Sequence, residues 1–133
     1  MSTATDTTAR SREVITAVYD AGASGDVQTL LSLMADDLVV EEPWFLPYGG
    51  TYETPQGLAE LFGKIGAVLD VARMRIDYLV CDGEHVIGII RIPDRRTGHD
   101  VLLAEESTVR DGKVARMRIF FHDTQSLIGA PRC

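Results

Sequence analysis

Two glutamates stand where strand alternation puts apolar side chains. In the run Leu38 to Glu42, Leu38, Val40 and Glu42 share one face. In the run Val101 to Val109, Leu103, Glu105, Ser107 and Val109 do the same. If these faces line a core, Glu42 and Glu105 are carboxyl groups among hydrocarbons. Desolvation then raises both pKa values, and proximity separates them. One ionised and one protonated carboxyl make a base and an acid. The same pair could instead lie solvated at a sheet edge, with Arg91 as counter-ion.

Other candidates gather around this pair. Asp123 follows the last strand, either at a pocket mouth or capping the next turn. Tyr19, Trp44, Phe45, Tyr48, Phe62, Met117 and Phe121 could line a pocket, with Arg91 beside them, or serve only as packing. His85, His99 and His122 have no metal-ligand spacing. The sequence carries no phosphate-binding loop, nucleophile elbow, zinc-protease or dinucleotide motif. The expected chemistry therefore uses no cofactor and no metal.

Helical periodicity predicts a helix around Val14, Ile15, Val18 and Tyr19, ending near Gly22. Ser24-Gly25-Asp26 opens a second, with Val27, Leu30, Leu31 and Met34 on one face, closed by Asp36-Asp37. A short strand over Leu38 to Glu42 stops at Pro43. An aromatic loop to Tyr52 follows, readable as a lid, an interface or core packing. Thr54 and Pro55 start a third helix, whose stripe is Leu58, Leu61, Phe62, Ile65 and Val68. Extended runs follow over Val71 to Val80, His85 to Ile92, Val101 to Val109 and Lys113 to Phe121. Asp82-Gly83 and Asp111-Gly112 are their hairpin turns. In the last run Ala115, Met117, Ile119, Phe121 and Asp123 share the concave face, and Arg116, Arg118, Phe120 and His122 the other. The fold class is α+β, a curved, largely antiparallel sheet wrapped by three helices of the N-terminal half around a pocket.

The 133 residues suit one domain. Residues 13–128 form it in this reading, with flexible tails at 1–12 and 129–133. A net charge of −7 and the lack of a basic stripe exclude a nucleic-acid partner. The apolar runs are too short to span a membrane. Cys81 and Cys133 show no disulfide or metal spacing, which fits a reducing cytoplasm.

Several strings in order resemble the ketosteroid isomerase-like branch of the nuclear transport factor 2-like superfamily, which includes SnoaL-type polyketide cyclases and limonene epoxide hydrolases. They are Ser24-Gly25-Asp26 with Leu30-Leu31, Met34-Ala35-Asp36-Asp37, Val40-Glu41-Glu42-Pro43, Thr54-Pro55-Gln56-Gly57-Leu58 and Asp111-Gly112-Lys113-Val114. The resemblance implies a cone-shaped, cystatin-like α+β barrel, often a homodimer, and an isomerase or cyclase acting on a small apolar oxygenated substrate. It implies that Glu42 shuttles the proton while Glu105, kept protonated, donates to an oxyanion. Val18 stands where the steroid isomerase has its helical Tyr, with Tyr19 next to it. Ile119 stands where limonene epoxide hydrolases carry an Asp. The rival readings are a non-catalytic binding or dimerisation module and an epoxide hydrolase.

Overall fold

A computed structural model describes residues 3–128. Helix α1 (Ala4–Ser24) and the short α2 (Val27–Ser32) lead into β1 (Met34–Glu42) and β2 (Gly50–Glu53). Helix α3 (Thr54–Val68) and a single 3-10 turn (Val71–Arg73) follow. The meander β3 (Arg75–Asp82), β4 (His85–Pro93), β5 (Asp100–Arg110) and β6 (Lys113–Phe121) completes the sheet, and α4 (Gln125–Ile128) ends the described chain. The six strands lie in the order β2-β1-β6-β5-β4-β3, with β1 parallel to β6 and the other pairs antiparallel. The sheet is curved and does not close, so the expected barrel is open along one side.

Most of these elements follow from local chemistry. The Asp111-Gly112 hairpin takes the form its sequence predicts: Arg110 pairs with Lys113, and both turn residues have positive φ, 53° and 76°. Helix α3 starts one residue earlier than expected: Thr54 is its first residue, Glu53 takes the N-cap position and Pro55 lies in the first turn, with Thr54 Oγ1 accepting from the Gly57 backbone N–H at 3.5 Å. One face of the sheet is sealed by the helices. Leu38, Val40, Val86, Ile90 and Val114 on the strands meet Ile15 of α1 and Leu61 of α3 with almost no exposure. Each such aliphatic side chain stabilises the fold by about 1.5–3 kcal/mol relative to leaving it in water.

Four further expectations need correction. Residues 4–12 are not a tail. Thr3 and Asp6 form a reciprocal capping box that starts α1 at Ala4. Thr8 Oγ1 then accepts from Gly83 N–H at 2.8 Å, and Ser11 is buried. The polar composition hid a helix whose inner side docks on the β3–β4 turn. Next, β1 begins at Met34, so Met34 belongs to the sheet and Asp36 and Asp37 lie exposed where the β1–β6 register shifts. The aromatic loop also ends sooner than Tyr52. Glu42 pairs with Gly50 and Val40 with Tyr52, making a hairpin that the two adjacent glycines concealed. Finally, Val71–Arg73 is a 3-10 turn and β3 starts only at Arg75. The tail expected at 129–133 lies outside the described residues.

Candidate functional site

The inward faces of β1, β4, β5 and β6, with α1 and α3 above them, enclose a cavity of about 100 Å³. Its walls are aliphatic and aromatic except at four side chains: Tyr19 from α1, Glu42 at the end of β1, Tyr48 from the β1–β2 loop and Glu105 on β5. Strand parity delivers both acids. Leu38, Val40 and Glu42 are buried together, as are Leu103, Ser107 and Val109 around Glu105. Ile119 of β6 pairs with Glu105, and Glu41 pairs with Arg118, so Ile119 stands between the two acids. Two strand spacings put their backbones about 10 Å apart. That leaves room for one small molecule between the carboxyls.

None of the four polar groups has a cationic partner in the cavity among the described residues. The hydroxyls of Tyr19 and Tyr48 and Oε1 of both Glu42 and Glu105 are sealed from solvent without a hydrogen bond among the described residues. Glu42, Tyr19 and Tyr48 are buried as whole residues, whereas Glu105 is half-buried with its Oε1 enclosed. Tyr19 and Glu105 face each other closely enough to couple, without closed hydrogen-bond geometry. Each group's titration reflects that setting. Burial, then the charge of Glu105, pushes Glu42 up to about 8. Burial pushes Glu105 up to about 7, with the Tyr19 phenol working against the rise. Tyr19 is raised by burial and then by Glu105, and Tyr48 by burial and then by Glu42. The site is thus two carboxyl–phenol couples, Glu105 with Tyr19 and Glu42 with Tyr48, across an apolar gap.

A glycine that sequence reasoning passed over builds one of these couples. Gly88 of β4 pairs with Glu105 of β5, and a Cβ there would stand 2.4 Å from the Tyr19 hydroxyl. The bare backbone is the notch that admits the phenol beside Glu105. A glycine inside a strand was the available signal. Gly88→Ala is expected to destabilise the protein by about 1–3 kcal/mol. It should also raise the Glu105 titration further, because the displaced phenol no longer favours the carboxylate. Gly63→Ala on α3, where a Cβ would meet nothing within 4 Å, should be neutral or mildly stabilising in the same urea melts. Equal losses in both variants would discard the notch.

Of the residues singled out from sequence, Tyr19, Glu42, Tyr48, Phe62, Glu105, Met117 and Phe121 line the cavity. Four others do not. Trp44 is 84% exposed and Phe45 43%, because the β1–β2 loop turns Leu46 and Tyr48 inward and these two rings outward, edge to face. Arg91 lies on the opposite face of β4 from Ile90 and Ile92, and its Nε donates to Asp77 at 2.9 Å. Asp123 is exposed beyond the end of β6. The fate of Arg91 was readable from alternation, since Val86, Gly88, Ile90 and Ile92 take the inner face.

The profile of the SnoaL-like domain matches residues 15–117. Among solved structures, the chain is similar to an NTF2-like protein from Burkholderia xenovorans, with 23% identity over 94% of this chain and 98% of that one and a TM-score of 0.77. TerC, co-crystallised with polyporic acid, is 27% identical over 91% of this chain and 99% of its own, with a TM-score of 0.74. A candidate polyketide cyclase from Sinorhizobium meliloti is 21% identical over 80% of this chain and 93% of its own, with a TM-score of 0.66. No curated protein matches the chain.

Proposed function

The chain belongs to the SnoaL-like domain family, and from that premise we propose that it is a small-molecule isomerase or cyclase that moves protons with Glu42 and Glu105. The observation carrying this reading is two carboxyls lining one apolar cavity, each with an oxygen closed off from solvent and no counter-ion among the described residues, and each raised into the neutral range. A carboxyl group poised near the working pH is effective in both protonation states. The resemblance gave the base to Glu42. The surroundings favour the reverse: the Tyr19 phenol stabilises a charged Glu105, and that charge keeps the proton on Glu42. Glu105 is then the base and Glu42, with Tyr48 beside it, the donor to a developing oxyanion.

The chemistry needs a substrate with a hydrogen on the carbon next to a carbonyl. Glu105 takes that proton. The C–H electron pair becomes the new C=C bond, and the carbonyl π pair moves to oxygen, which receives a hydrogen bond or the proton from Glu42. Where a C=C bond is conjugated with the enol, return of the proton from Glu105 to its far carbon shifts the double bond and isomerises the substrate; attack of the enol carbon on a second carbonyl cyclises it, the new alkoxide taking the proton from Glu105 while the enol oxygen returns its own to Glu42. The polyketide cyclase name and the polyporic acid complex among the similar structures agree with a ring-bearing, oxygenated substrate.

A ¹³C NMR titration of the glutamate carboxyls tests the pairing. Glu42 and Glu105 are expected to titrate well above the ordinary carboxylate range, and Glu105→Gln is expected to lower the Glu42 value by removing the charge that helps hold its proton. Two ordinary, independent titrations would instead favour a binding or dimerisation module.

We also propose that the working unit is a cytoplasmic homodimer joined through the outer sheet face. Tyr78, Ile89, Ala104 and Phe120 form one row across four strands, flanked by Val80 and Ile87. Tyr78 is 58% exposed, Val80 54% and Phe120 50%. Phe120→Glu should convert a dimer to a monomer in sedimentation analysis. A wild-type monomer at micromolar concentration would refute the proposal.

A further inference from the structure

The loop that carries Tyr48 is wound tightly on itself. Leu46 N–H donates to the Pro43 carbonyl at 3.1 Å, and Gly49 N–H to the Leu46 carbonyl at 2.9 Å. The chain then crosses its own entry: a Cβ on Gly49 would stand 2.2 Å from the Pro43 carbonyl oxygen and 2.7 Å from that of Trp44. Neither bond is made by Tyr48. Its carbonyl is held from outside the loop, by the hydroxyl of Tyr52 on β2, which donates to it at 2.8 Å.

Tyr52 is half-buried, pairs with Val40 and does not line the cavity. It lies along α3 instead. A Cβ on Gly57 would come 3.5 Å from the Tyr52 carbonyl carbon, and Lys64, which also pairs with Glu60, donates from Nζ to the Tyr52 hydroxyl at 3.4 Å. Gly57 and Lys64 are two helical turns apart and so on one side of the helix. A phenol carries a single hydrogen. With the Lys64 ammonium against its oxygen, that hydrogen is left for the Tyr48 carbonyl. Tyr52 is a strut from α3 to the loop.

From this geometry we infer that Tyr52 is a positioning residue: its bond to the Tyr48 carbonyl fixes the Tyr48 phenol beside Glu42 and keeps the donor half of the site in place. The inference rests on the proposed proton transfer and adds to it a residue that does not reach the cavity. The Tyr48 hydroxyl has no hydrogen bond of its own among the described residues, so its direction follows from packing and from its backbone. The same ring helps keep water from Glu42, whose raised titration comes first from burial. Glu105 takes its rise from its own burial, and its phenol is Tyr19, so loss of the strut should act on one couple and spare the other.

Tyr52→Phe removes the hydroxyl and keeps the ring. Two readouts follow it in the full chain: the Glu42 and Glu105 titrations by ¹³C NMR, and exchange of the hydrogens next to the carbonyl of 2-tetralone in D₂O. Glu42 is expected to fall from about 8 toward the ordinary carboxylate range while Glu105 stays in place. The exchange kcat should drop about tenfold or more, with KM changed less than about twofold, because the small ketone does not touch Tyr52. Tyr48→Phe removes the hydroxyl that the strut positions, so adding Tyr52→Phe to it should cost several-fold less than in wild type. An unmoved Glu42 with undiminished kcat overturns the inference and leaves the acid–base reading standing. Losses that simply multiply in the double variant also overturn it, since Tyr52 would then act independently of Tyr48. A fall in urea stability with Glu42 unmoved is plain packing and counts against the strut. Absence of exchange in wild type removes the proposed function instead, and the Glu42 titration in Tyr52→Phe then still decides whether the strut exists.

Discussion

Replacing both Glu42 and Glu105 with Gln is expected to make the protein more stable at pH 8.5, by about 2–4 kcal/mol. The ordinary value for these carboxyls is 4.5, and the fold raises them to about 8 and about 7. Between those limits the folded chain holds protons that the unfolded chain has released. Stability therefore falls as pH rises, by about 1.4 kcal/mol per pH unit for each group still protonated in the folded state. Below about 4.5 both states are protonated and the penalty is absent. Above about 8 it is complete. Glutamine keeps the shape and loses the charge, so the variant should escape this loss while still burying an unpartnered polar group.

Urea melts at about pH 5 and pH 8.5 separate the two cases. The variant should gain little at the lower pH and most of its advantage at the higher. Asp26, held low by its bonds to Thr29, and Asp37, held low by Arg110, act in the opposite direction in acid. Both residues are present in both proteins and drop out of the comparison. A variant no more stable than wild type at either pH would mean that the carboxyls are hydrated. A gain at pH 8.5 is the signature of a site kept at a cost to the fold.

Loss of proton transfer should be the largest single effect. In D₂O the protein is expected to speed exchange of the hydrogens next to the carbonyl of 2-tetralone, read by proton NMR as disappearing signal. Glu105→Gln removes the base and Glu42→Gln removes the donor. Each should cost about 10²–10⁴-fold in rate with the fold retained. The rate should follow a narrow bell in pH. One ionised and one protonated carboxyl coexist between about 7 and about 8, so activity falls on either side of that window. The two single variants differ in shape as well as height. Without Glu105 the residual activity should lose its rise with pH, and without Glu42 its fall. Exchange undiminished in both variants would sink the assignment of this pair.

The sequence by itself determined the faces and most of the turns. Alternation along β1 and β5 placed Glu42 and Glu105 on the buried side, because adjacent residues of a strand point to opposite faces. The same rule sorted β6 into Met117, Ile119 and Phe121 inside and Arg116, Phe120 and His122 outside, but it chose Ala115 where the structure buries Val114, because the ladder shifts register between Thr108 and Val109. It also sends Arg91 outward with Ile87 and Ile89, had it been applied to β4. Asp111-Gly112 fixed its hairpin because only small or acidic residues take two positive φ values in succession. These are local constraints, written residue by residue.

Tertiary structure alone decided what meets what. The sheet order sets β1 parallel beside β6, pairing Met34 with Val114 and Glu41 with Arg118 across most of the domain's sequence, which no local pattern announces. That pairing brings Glu42 and Glu105 to either side of Ile119. Tyr19 reaches Glu105 only because α1 crosses β4 at Gly88, and the first turns of that helix, opened locally by Thr3 and Asp6, are tied to the β3–β4 turn through Thr8. The order in which the two acids give up their protons also comes from these contacts. Alternation could bury two carboxyls, but which of them a phenol stabilises depends on how α1 and the β1–β2 loop close over the sheet.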